Sequence, residues 1–217
     1  MRLTTIEFGS LLSYAPWGNL ENHMKSKTMK TILKNDLFVD SKSGKVLMSE
    51  FVADEIKKNM QSLPFAGLFN VNPILIPVPP SSLLTKDSLW VPQRIAKALV
   101  QRGLGKSLVE CVKLVKPLRK SSKSAPENRP KASEHYDSVE VENILSKPSE
   151  ILLVDDIVTR GATLIGIANK LADVFPNAHI RGFAAMRTMS DPNRFVKIND
   201  PCIGIIQLIG DETFRDP

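Results

Sequence analysis

Apolar residues recur at helical spacing from about Met48 to Gln61, where Phe51, Val52, Ile56 and Met60 share one side and Glu50 and Glu55 the other. Ile74–Val78 is a short β-branched run stopped by Pro79 and Pro80, which predicts a buried strand ending in an abrupt turn. Asp87 and Ser88 then precede a helical stretch from Pro92 to about Arg102, and Gly103 follows it, so that early proline and terminal glycine punctuate a helix. Val109–Val115 predicts a strand and Ser138–Val141 a shorter one. Glu150–Val154 is a third apolar run, bounded by Asp155 and Asp156, and a helix over 162–175 carries Leu164, Ile165, Ile167, Ala168, Leu171 and Val174. His179–Met186 and Cys202–Leu208 predict further strands. Strands alternating with helices argue for an α/β fold, a mostly parallel sheet covered on both faces.

Residues 1–45 give no clear period. Tyr14, Pro16, Trp17 and Gly18 suggest a turn-rich segment, and Lys25, Lys27, Lys30 and Lys34 run through a helix-like stretch to Leu37.

Composition narrows the class without changing the fold. The 217 residues are 42% hydrophobic and 24% charged, ordinary for a globular chain and wrong for a disordered or collagen-like one. The longest nearly uncharged apolar stretch, Cys202–Gly210, falls far short of the roughly 20 residues that span a bilayer. The N-terminus lacks the basic start and unbroken apolar run of a secretory signal. Cys111 and Cys202 alone supply neither a four-ligand zinc site nor a disulfide framework. A reduced, cytoplasmic chain is the expectation.

Charge adds a location. The excess of 29 Lys and Arg over 23 Asp and Glu suits either nucleic acid or a small, highly phosphorylated ligand. Seven of those cations lie between Lys113 and Lys131, among serines and prolines and against the single acid Glu127. No stacking aromatics interleave with them, as single-stranded nucleic-acid grooves usually require. The stretch from about Pro117 to Ser133 is therefore expected to be a mobile lid over a ligand; an inert solvated loop is the plainer alternative.

The most specific chemistry lies in Ile151–Thr163. A buried strand delivers Asp155 and Asp156 toward the carboxyl edge of a parallel sheet, where ligands of such folds bind. The turn Thr159-Arg160-Gly161-Ala162-Thr163 then opens a helix. Glycine allows close backbone approach, and N–H groups at a helix N-terminus suit a phosphate. Gly161→Val is accordingly expected to lose phosphate binding at modest cost to stability. His23, His135 and His179 show no metal-ligand spacing and are expected to be structural or surface residues, with a site role left open for His135. Cys111 is expected in the core.

These thirteen residues resemble the motif with which type I phosphoribosyltransferases bind 5-phosphoribosyl 1-pyrophosphate (PRPP). The resemblance extends upstream and is nearest to the ComF-type branch. Pro77-Val78-Pro79-Pro80-Ser81-Ser82 stands where that branch has its pyrophosphate loop. Gln93-Arg94-Ile95-Ala96 stands at the start of its next helix, and Lys116–Tyr136 stands where it has a basic flexible loop. The four-cysteine zinc module of ComF-type proteins is absent, and Asp87–Gln93 replaces their Arg-Gly-Phe-Asn-Gln signature.

The resemblance implies one domain over 1–217: a hood from about 1–69, a PRPP-binding core over about 70–190, and a C-terminal strand and tail over 191–217. It implies transfer of a phosphoribosyl group to a nitrogen nucleophile of a nucleobase-like acceptor, with release of pyrophosphate. Asp155 and Asp156 would hold the ribose hydroxyls and stabilise the cationic sugar. Thr159, Arg160, Gly161, Ala162 and Thr163 would hold the 5-phosphate. Pro79, Pro80, Ser81, Ser82, Lys116, Arg119 and Lys120 would serve the pyrophosphate. Mg²⁺ would arrive on the ligand with no dedicated protein cage, touching Asp155 or Asp156 at most. A homodimer is compatible with the resemblance; neither a membrane nor nucleic acid is the expected partner. The alternative function is a non-catalytic PRPP- or nucleotide-sensing subunit, or an accessory of DNA uptake or defence, on the same fold.

Overall fold

Ile151, Leu152, Leu153 and Val154 are all fully buried, as a strand covered on both faces requires. The computed structural model describes residues 1–42, 44–80, 82, 88–118, 129–142 and 147–217. Its elements run β1 (Thr5–Tyr14), α1 (Glu21–Lys34), β2 (Phe38–Ser41), β3 (Gly44–Leu47), α2 (Met48–Asn59), α3 (Gly67–Asn70), β4 (Ile74–Pro77) and α4 (Val91–Gln101). There follow β5 (Ser107–Leu108), β6 (Val112–Leu114), α5 (Ala132–Asp137), β7 (Val139–Val141), β8 (Glu150–Val158), α6 (Ala162–Val174), β9 (His179–Thr188), β10 (Asn199–Ile209) and β11 (Glu212–Asp216).

The fold is mixed α/β. A seven-stranded sheet has the order β11-β10-β1-β9-β8-β4-β5. Its five strands from β1 to β5 pair in parallel, and β10 and β11 extend one side antiparallel. Successive residues of β8 serve opposite cores. Leu152 and Val154 pack with Val52 and Ile56 of α2 and Ile95 and Leu99 of α4. Ile151 and Leu153 pack with Leu164, Ile167 and Leu171 of α6. Cys111 is 2% exposed in that second core, and burial pushes its thiol up to about 11, so it packs and does not react.

Three expectations change. Thr5–Tyr14, assigned from the sequence to a hood, is a central strand between β9 and β10. Its pattern hid this, because Ile6 and Phe8 face one core and Leu11 and Leu12 the other across a register irregularity between Ser10 and Leu12. Ala132 and Ser133, expected at the end of a loop, begin α5, which docks on α6. There a Cβ on Gly166 would lie 2.5 Å from the Ala132 carbonyl, so glycine permits the approach. Finally, β8 does not stop before its acids. It continues to Val158 because long β9 keeps pairing with it, Asp155 opposite Ala184 and Val158 opposite Arg187.

Candidate active site

On its other side β8 loses its neighbour early. β4 ends at Pro77, opposite Val154, so β8 runs on past β4 through Asp155 and Asp156 while its pairing with β9 continues at Asp155, Ile157 and Val158. The two acids are thereby fixed on backbone that β9 holds. Asp155 Oδ1 accepts from the Asp156 N–H at 2.8 Å, and Asp156 Oδ1 from the Ile157 N–H at 2.6 Å. Both residues are buried, at 9% and 7% exposure. Burial and, after it, the neighbouring Asp156 push the Asp155 carboxyl up to about 7.

The two acids nonetheless have different further neighbours. Asp155 lines a pocket with Thr159, Arg160, Gly161, Ala162 and Thr163, joined by Arg129, Pro130 and His135. Asp156 instead meets Lys34 at the end of α1, with Nζ 2.7 Å from one carboxylate oxygen and 2.9 Å from the other. Burial pulls the Lys34 ammonium down, but Asp156 and Asp155 together outweigh it and hold the group above its ordinary value.

Gly161 is the N-cap of α6 with φ 89°, ψ 7°, a left-handed conformation that favours glycine. A glycine cap brings no side-chain acceptor, so the first N–H groups of the helix face the pocket unsatisfied by their own cap. A Cβ there would also fall 2.6 Å from Ile206 of β10. Thr163 Oγ1 lies 3.2 Å from His135 Nε2. Burial lowers the His135 imidazole to about 4, so the ring is neutral near pH 7. Its linkage has a definite sign: the stability from neutral His135 is complete above about pH 6.5 and is lost as pH falls from there toward 4. His135→Phe should therefore flatten the acid limb of the stability curve over that window, as read by urea unfolding at a series of pH values. An unchanged slope would contradict the assignment.

The turn is held from behind by the C-terminal hairpin. Arg215 donates through Nε to the Thr159 carbonyl and through Nη2 to the Thr188 carbonyl, with its guanidinium 5.6 Å from the Phe8 ring centroid. Glu212 receives Lys131 at 2.9 Å and Arg160 at 3.5 Å. Asp211 accepts from both the backbone N–H and the hydroxyl of Ser133 at the start of α5.

The remaining candidates are less gathered. Pro79 and Pro80 follow β4 at the same sheet edge, where Trp90 Nε1 fixes the preceding turn by donating to the Val78 carbonyl at 2.7 Å. Ser82 and Lys116 are exposed and line no part of the pocket that holds Asp155. Ser81, Arg119 and Lys120 lie outside the described residues, as do residues 119–128 of the expected lid.

Sequence reasoning passed over Lys34, Arg129 and Arg215 as site residues. Lys34 and Arg215 are brought in by tertiary packing alone. Arg129 could have been found: it is the cation of the basic stretch that stands two residues before the residue that caps α5. Its Nε is buried with no hydrogen-bond partner, and Arg129 lines the same pocket as the first residues of α6.

A comparison with protein families finds no match for this chain, and neither does one with curated proteins. Among solved structures it is similar to a hypoxanthine phosphoribosyltransferase from Staphylococcus aureus, with 16% identity over 77% of this chain and 73% of that one and a TM-score of 0.34. It is also similar to the protein TT1426 from Thermus thermophilus, with 16% identity over 68% of this chain and 83% of that one and a TM-score of 0.30. Likeness at that level carries no argument for fold or function. Among the described residues no helix is long and apolar enough to cross a membrane.

Proposed function

We propose that this chain binds PRPP at the β8–α6 turn and transfers its 5-phosphoribosyl group to a nitrogen nucleophile, releasing pyrophosphate. One observation carries the reading: a buried carboxyl on a strand and an uncapped, glycine-opened helix N-terminus line the same pocket, a short turn apart in sequence. A carboxylate suits sugar hydroxyls and developing positive charge; the helix terminus suits a phosphate.

In this reading the N–H groups of Gly161–Thr163 hold the 5-phosphate, with the Thr159 and Thr163 hydroxyls beside them. Arg129 adds its charge to that of Arg160 in the turn, which also faces Glu212. Asp155 takes the ribose hydroxyls, and Pro79, Pro80, Ser81 and Ser82, with Lys116, Arg119 and Lys120, serve the pyrophosphate. Among the described residues no group of three or more His, Cys, Asp or Glu side chains gathers to hold a metal ion. With both Asp156 oxygens already facing Lys34, Mg²⁺ would come as the companion of the pyrophosphate, and Asp155 is the acid that would hold it. Bound there, it would neutralise charge on the leaving group.

Because Arg129 Nε is buried and unpaired, removing its charge should cost ligand affinity and little stability. Arg129→Met is expected to weaken ribose 5-phosphate binding about tenfold or more, the worth of a charged hydrogen bond, by calorimetry, with a melting temperature near wild type. Equal affinity would remove Arg129 from the phosphate site.

Incubation with PRPP, Mg²⁺ and a panel of nucleobases should release pyrophosphate above the base-free control. The second reading, a PRPP sensor without turnover, is favoured by the Lys34 contact, which already neutralises one acid. It predicts PRPP binding without release. Neither binding nor release would defeat both.

A further inference from the structure

Two adjacent carboxylates at a sheet edge ordinarily draw a divalent cation, because hard oxygen donors suit Mg²⁺, Mn²⁺ and Ca²⁺. Here the cation is part of the chain. Lys34 Nζ contacts both oxygens of Asp156, at 2.7 Å and 2.9 Å, across 122 positions of sequence.

The contact is built from both sides. Leu33, just before Lys34, is fully buried in the core under β8. Asp36, two residues after it, is 3% exposed and adopts φ 45°. Its carboxylate accepts from the Ser49 N–H at 2.7 Å, the Ser49 hydroxyl at 3.1 Å and Arg94 Nη1 at 3.0 Å. Those bonds tie the end of α1 to the starts of α2 and α4. Lys34 is thus held between two anchored residues, at a helix C-terminus whose dipole favours a cation. The Lys34 side chain is itself 45% exposed, so the pair depends on this fixture and on the buried Asp156, whereas pairs exposed on both sides are worth little.

We infer that Lys34 is the resident cation of the acid pair: it holds the Asp156 carboxylate in place and keeps free divalent metal from binding there. Resting on the PRPP reading, this makes the metal requirement of the site a property of the ligand. Lys34 is a positioning residue, acting through Asp156.

The test uses Mn²⁺ alone as probe, with the full chain and no phosphorylated ligand, and reads free Mn²⁺ by electron paramagnetic resonance. Wild type and Lys34→Arg should leave millimolar Mn²⁺ free. Lys34→Met and Lys34→Gln, checked by circular dichroism to be folded, should gain a site at least tenfold tighter, which the added change Asp156→Asn removes. The glutamine variant keeps a hydrogen-bond donor without charge, so a purely structural role for Lys34 would leave its Mn²⁺ affinity at the wild-type level. Equal Mn²⁺ binding by wild type and the two neutral variants, whether strong or absent, would overturn the inference. PRPP calorimetry on the same wild-type sample is scored separately, so a failure of the PRPP reading is visible independently of the Mn²⁺ result.

Discussion

Asp155→Asn should raise the melting temperature of the unliganded protein at pH 7 and, at the same time, cost most of its affinity for PRPP. The two effects share one cause. Asp155 is buried beside a second acid, so ionising it in the folded chain is unfavourable, and its carboxyl is raised from 3.8 to about 7. A folded-state value above the unfolded one means that the folded chain holds a proton the unfolded chain has released. Stability is then greatest below about pH 4 and falls as pH rises through 7. Asparagine keeps the shape, never ionises and so escapes that loss. Each kcal/mol recovered is worth roughly 2–4 °C in melting temperature for a chain of this size. The same substitution removes the carboxylate proposed for the ribose hydroxyls, at a cost of about 1.5–3 kcal/mol per charged hydrogen bond, or roughly 10- to 100-fold in affinity. Thermal melts between pH 4 and 8, with PRPP calorimetry, check both halves. A variant that melts below wild type at pH 7, or binds PRPP equally, contradicts this assignment.

Gly161→Val should be damaging in two separable ways. The sequence alone suggests a change harmful to ligand binding and mild for the fold. The structure corrects the second half. With φ at 89° a β-branched residue is strained, and its Cβ would lie 2.6 Å from Ile206, which is fully buried. Left-handed strain of about 1–2 kcal/mol and overpacking of about 1–3 kcal/mol add to a destabilisation on the order of 3 kcal/mol. That lowers the melting temperature by roughly 10 °C. Ile206→Ala in the same chain opens the space and should recover part of this loss. It should not recover ribose 5-phosphate binding, because the side chain still stands where the phosphate must approach the backbone. Phosphate binding restored by Ile206→Ala would show that Gly161 serves packing alone.

The sheet and the β8–α6 turn were legible because local rules and tertiary packing agree there. Ile151–Val154 is buried on both faces and Ile74–Pro77 is stopped by proline. Helix α6 begins at a glycine, and these features need no long-range information. β1 was not legible, because the irregularity after Ser10 breaks the two-residue period that would have marked Thr5–Tyr14 as a strand. Nor was the end of β8. The acids interrupt the apolar run, and only the length of β9 shows that the strand passes through them. The adjacency of the acids is plain in the sequence, yet the partner of Asp156 is not, since nothing in Lys34's surroundings along the chain points to residue 156. His135 illustrates the same limit: its Thr163 contact depends on α5 lying against α6 at Gly166.

The most direct test of the proposed site is an amide chemical-shift map of ¹⁵N-labelled protein titrated with PRPP and Mg²⁺. The largest changes should fall on the N–H groups of Gly161, Ala162 and Thr163, followed by Asp155, with saturation at one ligand per chain. Largest changes elsewhere, or none at millimolar PRPP, would contradict a phosphoribosyl site at the β8–α6 turn.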